Sequence, residues 1–168
     1  MRTVIYPGSF DPVTNGHLDL VHRATHLFDR VIVGVARSEN KHPLFSLEER
    51  VGLVRRSVRH LPTVTVEGFD CLLVDYLDQQ GAVAIIRGLR AVSDFEFEFQ
   101  LALMNRKLNA RCETIYMTPK ETYAFLSSSI VKEIARLHGD VSAFVPAHVK
   151  KALKNKLSGP SEGRTGKG

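Results

Sequence analysis

Tyr6-Pro7-Gly8-Ser9-Phe10-Asp11-Pro12-Val13-Thr14-Asn15-Gly16-His17 is the stretch on which the fold turns. Ahead of it, the β-branched run Thr3-Val4-Ile5 reads as a strand that ends at Tyr6. The run breaks at Pro7-Gly8, passes through a loop held by Pro12, and restarts at Asn15-Gly16-His17 as a helix. A strand that ends in glycine and feeds a helix N-terminus gathers free backbone N–H groups and the positive end of the helix dipole at one point. Ser9 adds a hydroxyl there and His17 a ring N–H. The stretch is expected to hold the phosphates of a nucleotide.

Working outward, further short apolar runs alternate with helical patterns. Strands are expected at Thr3–Tyr6, Val31–Ala36, Val64–Glu67, Val83–Ile86 and Thr114–Met117. Continuous rather than alternating apolar runs suit parallel strands covered on both faces. Ser46-Leu47-Glu48-Glu49 has the form of a capping box, and Leu47, Val51, Val54, Val58 and Leu61 follow at steps of four and three. Gly16–Phe28 and Leu72–Gln80 read as neighbouring helices, Ile130–Leu137 as another, and Asp140–Leu157 as one or two more, with Pro146 at a helix start. This order predicts an α/β protein with a Rossmann-like, doubly wound, five-stranded parallel sheet, helices on both faces and C-terminal helices. Residues 1–157 are expected to form a single domain, and 158–168, rich in Gly and Ser without apolar residues, a flexible C-terminal tail.

Composition narrows the function. Of 168 residues, 43% are hydrophobic and 24% charged, which is ordinary for a globular chain. No apolar run approaches the ~20 residues of a membrane span. Met1-Arg2 leads into a strand without a signal-peptide pattern, so a cytoplasmic location is expected. Cys71 and Cys112 are far apart and indicate neither a zinc site nor a disulfide framework. The net charge of +5 is scattered or lies near the C-terminus, and no nucleic-acid-binding signature accompanies it. The surplus reads as solvated surface with some attraction for polyanionic small molecules.

In an open parallel sheet, ligands bind beyond the carboxyl ends of the strands. Those ends carry Pro7-Gly8-Ser9-Phe10, Arg37–Lys41, Gly68-Phe69-Asp70, Arg87-Gly88-Leu89-Arg90 and Thr118-Pro119-Lys120. Glycines, hydroxyls and cations thus gather at one end. His17, at a helix N-terminus, is expected to stay neutral and still donate one hydrogen bond to a phosphoryl oxygen; His22, His26 and His60 are read as structural. Arg87 and Arg90 can clamp phosphates, against the plainer reading of ion pairs with Asp94 or Glu96. Ser127, Ser128 and Ser129 open a helix, and ordinary capping explains one serine but not three. No carboxylate dyad or nucleophile elbow competes with this phosphate-handling set.

The helix after Ala91 has two apolar stripes at about 100° per residue. Val92, Phe95, Phe99, Ala102 and Leu103 form one; Phe97, Leu101, Met104 and Leu108 form the other; Asp94, Glu98 and Asn105 lie on a polar edge between them. Ser93-Asp94-Phe95-Glu96 is placed to cap it. One stripe is expected to face the sheet. The other needs a second helix of the chain or, as favoured here, a second subunit.

Five motifs in order carry a family resemblance: Y-P-G-S-F-D-P-V-T-N-G-H at 6–17, L-F-S-L-E-E-R at 44–50, I-R-G-L-R at 86–90, D-F-E-F-E at 94–98 and S-S-S-I-V-K at 127–132. The chain resembles the HxGH nucleotidyltransferase superfamily and, more closely, the bacterial phosphopantetheine adenylyltransferase family, over about Arg2 to Leu157. The resemblance implies adenylyl transfer from ATP to 4′-phosphopantetheine, giving dephospho-coenzyme A and pyrophosphate, in coenzyme A biosynthesis. It implies that His17 stabilises the transition state and that Ser9 and Phe10 contact ATP, Ser9 also touching the acceptor. Lys41, Leu73 and Arg87 match substrate-binding positions. Gly88, Leu89, Arg90, Glu98, Tyr123, Ala124, Phe125, Leu126, Ser127, Ser128 and Ser129 match ATP-binding positions. Mg²⁺ is implied with the nucleotide, and a homohexamer as the assembly. Thr14 stands where the superfamily motif begins with His, and Ser9 where threonine is frequent. The alternatives are another HxGH-type adenylyl- or cytidylyltransferase with a different phosphate acceptor, and a non-catalytic nucleotide-binding module.

Overall fold

The computed structural model describes residues 1–37 and 42–158, with the side chains of Val92 and Ser93 also left out. Lys41, the tail beyond Ser158 and the Val92 side chain therefore lie outside the described residues. In chain order come β1 (Thr3–Gly8), α1 (Asn15–Ala24), β2 (Arg30–Ala36), α2 (Leu47–Val58), β3 (Val64–Phe69), α3 (Leu73–Gln79), β4 (Ala84–Gly88), α4 (Val92–Leu108) and β5 (Glu113–Met117). A 3₁₀ turn at Glu121–Tyr123, α5 (Ser128–Arg136) and α6 (Ala147–Leu157) follow. The five strands form one parallel sheet in the order β3-β2-β1-β4-β5. The doubly wound α/β expectation holds.

Period-two alternation divides each strand between two covers. Val4, Tyr6, Val31, Val33 and Val35 meet Leu20 and Val21 of α1, Val54 and Val58 of α2, Val131 of α5, and Val149 and Leu153 of α6. On the other face, Ile5, Ile32 and Ile85 meet Val74, Tyr76 and Leu77 of α3. The Ser46–Glu49 capping box opens α2 as expected, with Ser46 Oγ accepting from Glu49 N at 3.2 Å and Glu49 Oε2 accepting from Ser46 N at 2.7 Å.

Several strands run further than the glycine signals imply. Pro7 and Gly8 pair with Gly34 and Val35, and Gly68, Phe69, Arg87 and Gly88 are ladder residues rather than loop. Pro7 is tolerated in a central strand because β1 pairs with β4 only through Val4 and Ile5, so its missing donor falls beyond that ladder.

The expectation for α4 needs correcting. Its N-cap is Ala91, which has no capping side chain, and Ser93 lies inside the first turn. Neither apolar stripe is buried within the chain: Phe95, Phe97, Phe99, Leu103, Met104 and Leu108 are all exposed. The half-buried line is Asp94, Glu98, Leu101, Ala102 and Asn105. The polar edge turns inward because Arg87, at the end of β4, grips Glu98 through two hydrogen bonds of 2.8 and 2.6 Å. Tyr116 of β5 adds its hydroxyl to the Glu98 carbonyl at 2.8 Å.

Candidate active site

A cavity of about 380 Å³ opens at the carboxyl ends of β1 and β4, the point at which strand order reverses. Gly8, Ser9 and Phe10 form one wall, Arg87, Gly88 and Arg90 another, and Ser127, Ser128 and Ser129 a third. Gly8 permits a close approach: a Cβ there would lie 3.0 Å from the Phe10 ring, which folds back over it, and would press on that ring.

His17 occupies the third helical position of α1. Its Nδ1 accepts the backbone N–H of Thr14 at 3.0 Å, completing a capping box in which Thr14 Oγ1 accepts from His17 N. A backbone N–H can only donate, so Nδ1 is the unprotonated nitrogen. The proton then sits on Nε2, the ring donor left for the cavity. Burial, and next the nearby Arg90 cation, lower the His17 pKa to about 4. The ring is neutral at physiological pH, as the sequence implies.

The cations are held in ordered positions. Arg90 Nη1 donates to the Leu126 carbonyl at 3.1 Å, and its Nε lies 3.6 Å from Asp94. The plainer reading of an ion pair with Asp94 is thus partly realised, although Arg90 still lines the cavity. Arg87 is committed to Glu98, so the two groups form one unit on the wall. Of the three serines, Ser127 caps α5 by accepting from Ile130 N at 3.2 Å. Ser128 donates to the Pro12 carbonyl at 2.7 Å, tying α5 to the loop between β1 and α1. Ser129 is exposed at the cavity.

The cavity therefore brings together Ser9, Phe10, His17, Arg87, Gly88, Arg90, Glu98, Tyr123, Leu126, Ser127, Ser128 and Ser129. It does not gather every expected residue. Leu89 spends its N–H on the Met117 carbonyl, and Ala124 and Phe125 are exposed outside the lining, with Phe125 packed edge-on to Phe144. Leu73 sits with the α3 core instead.

Asp11 and Lys132 are among the lining residues that escaped the site reading. Asp11, 5% exposed, accepts from Leu44 N and Phe45 N at 2.9 Å each and from Lys132 Nζ at 2.7 Å. Both lie within motifs that were legible, but their pairing spans 121 residues and has no local signature. Among the described residues no group of three or more His, Cys, Asp or Glu is placed to hold a metal ion. Chemically, the site offers neutral and cationic donors around a space for phosphates.

Sheet order, cavity and donor set define a nucleotidyltransferase-type α/β protein. A family model described as cytidylyltransferase-like matches residues 5–134. Two relatives are named phosphopantetheine adenylyltransferase. That of Methylococcus capsulatus is 60% identical over 94% of this chain and 97% of its own length; that of Thiobacillus denitrificans is 54% identical over 94% and 98%. The chain belongs to the phosphopantetheine adenylyltransferase family. The fold is shared more widely. A Vibrio parahaemolyticus structure described as a nicotinate-nucleotide adenylyltransferase superposes with a TM-score of 0.69 at 19% identity, covering 94% of this chain and 95% of that one. A bifunctional NMN adenylyltransferase/ADP ribose pyrophosphatase from Francisella tularensis gives 0.68 at 14% identity, over 92% of this chain and 48% of that one.

Proposed function

We propose that this protein transfers the adenylyl group of ATP to 4′-phosphopantetheine, releasing pyrophosphate and forming dephospho-coenzyme A. The observation that carries the reading is a neutral His17, locked by Thr14 with its Nε2 proton free for the cavity, facing walls of arginine and serine. The attacking phosphate is already an anion, so no general base is needed. Rate comes from in-line positioning and from donors placed where charge develops. In this scheme His17 Nε2–H meets the α-phosphate, and Ser9 touches both reactants. Arg90 and the N-terminus of α5 hold the leaving pyrophosphate, Lys41 and Arg87 receive the acceptor's phosphate, and Leu73, half-buried on α3 outside the cavity lining, receives its apolar arm.

Mg²⁺ enters as part of the nucleotide substrate. The cavity carboxylates Asp11 and Glu98 are already paired with Lys132 and Arg87, so the ion would be carried by ATP's own phosphates and would neutralise their charge. The setting is cytoplasmic, where ATP is available. Turnover with ATP, Mg²⁺ and 4′-phosphopantetheine, followed by pyrophosphate release, tests the assignment. Faster release with nicotinamide mononucleotide or an alcohol phosphate would replace it, and ATP binding without release from any acceptor would make the protein a non-catalytic module.

The assembly proposed is a homohexamer, built with the two exposed stripes of α4 facing other copies. Phe97, 62% exposed, and Met104, equally exposed, lie on the stripe furthest from the first. Phe97→Arg with Met104→Arg is expected to reduce the native mass to smaller species without unfolding the chain. A monomeric parent, or a doubly charged variant of unchanged mass, would remove α4 from the interface.

A further inference from the structure

Among the described residues, Arg50 is the most deeply buried charged side chain outside the cavity lining, at 1% exposure. Arginine is rarely so buried without a carboxylate partner. Among the described residues none lies within salt-bridge distance of it, although the carboxylates of Asp11 and Glu48 are near enough to favour its charge against the cost of burial. Its guanidinium donates instead to carbonyls. Nη1 reaches Ser9 O at 2.7 Å and Ala36 O at 2.9 Å, while Nε reaches Phe45 O at 3.2 Å and Ser46 O at 3.3 Å. One planar group thereby ties the ends of β1 and β2 to the start of α2. Burying a cation for stability alone is poor economy, since apolar side chains of similar volume commonly do as well.

What the clamp holds is specific. Phe10 follows Ser9 directly and has φ +48°, a left-handed conformation that costs a non-glycine residue roughly 1–3 kcal/mol and persists only where neighbours enforce it. Arg50 fixes the carbonyl before it, and Asp11, held by Leu44 N, Phe45 N and Lys132, fixes the residue after it. Phe45 serves both sides, giving its N–H to Asp11 and its carbonyl to Arg50. Bracketed in this way, the Phe10 ring lies over Gly8 and meets the His17 ring edge-on, with centroids 5.1 Å apart. We infer that Arg50 is a positioning residue for the transfer, fixing the Ser9–Phe10 peptide that presents Ser9 to the cavity and seats Phe10 against His17. The inference rests on the function proposed above. A lysine retains the charge but cannot span four carbonyls with one planar fork.

Arg50→Lys and Arg50→Gln test it in the full-length protein. Each should fold, with kcat per folded molecule reduced about 100-fold, the scale that small misplacements of a reactive group produce, and KM for ATP changed by no more than about threefold. The His17 ring-proton resonances should move in both variants, because the Phe10 ring current no longer falls on them. A purely stabilising Arg50 would lower Tm while leaving kcat and those resonances in place, and that result would overturn the inference. So would failure of both variants to fold, which would make Arg50 a folding residue. An unmodified chain without turnover would count against the proposed function instead, leaving the His17 resonances to decide the role of Arg50.

Discussion

His17→Ala is expected to lose about 10²–10³-fold in kcat, the loss typical of removing one preorganised donor from a developing oxyanion, while ATP affinity changes far less. The distinction follows from timing. A donor aimed at charge that appears only during transfer contributes to the transition state more than to the bound nucleotide. The alanine variant also strips Thr14 N of its acceptor, and Thr14 is buried, so a stability loss of about 1 kcal/mol accompanies the kinetic one. His17→Asn separates the two effects. Its amide oxygen can take the place of Nδ1 toward Thr14, yet nothing replaces Nε2, so Tm should recover and kcat should not. The pH profile supplies a second check. With its pKa lowered to about 4 by burial and Arg90, His17 stays neutral across pH 6–9, and no kinetic step near the ordinary histidine value should arise from it. Near-normal turnover in His17→Ala, or a histidine-like step abolished by that substitution, would remove His17 from the role.

The same residue shows why part of this site could be read from sequence. His17 announces itself because strand, glycine, loop and helix start fall within a dozen neighbouring positions, and each is a local signal. The serines at 127–129 are legible for the same reason. Arg87 and Glu98 were each legible, but not their bond, and that bond decides which side of α4 faces inward. Periodicity sees two apolar stripes and assigns one to the sheet. A partly buried ion pair between β4 and α4 outweighs that expectation and leaves both stripes outside. Arg50 and Asp11 were hidden more completely, because their work is to satisfy carbonyls and N–H groups brought together by packing of β1, β2 and α2. Strand ends at Gly8, Gly68 and Gly88 were misplaced because glycine marks a close approach as readily as a turn.

Asp11 carries the largest expected effect on stability. Burial alone pushes its carboxyl upward, but hydrogen bonds from Lys132, Leu44 N and Phe45 N, with the charge of Lys132, outweigh that and hold it below the usual aspartate range. Asp11→Ala removes the partner of a mostly buried ammonium and the acceptor of two backbone N–H groups at once. Breaking a buried pair from one side costs about 3–5 kcal/mol. The lower end applies here, because the Lys132 side chain is 18% exposed and can turn toward water in the cavity. At about 2–4 °C per kcal/mol for a domain of this size, Tm should fall by about 6–12 °C. Asp11→Ala with Lys132→Met should lose less than Asp11→Ala alone, since no orphaned charge remains; equal losses would mean that the N–H groups, rather than the ion pair, carry the effect. The sign with pH is fixed by the lowered pKa. The contribution is complete above the unfolded aspartate value of about 4, fades as pH drops below it, and is gone once pH passes the lower folded value. The Tm gap between parent and Asp11→Ala should therefore be wide at pH 7 and close toward pH 2. A gap that widens on acidification would show that Asp11 is protonated in the folded protein, and the hub joining residues 44–45 to α5 would then have to be built on a neutral acid.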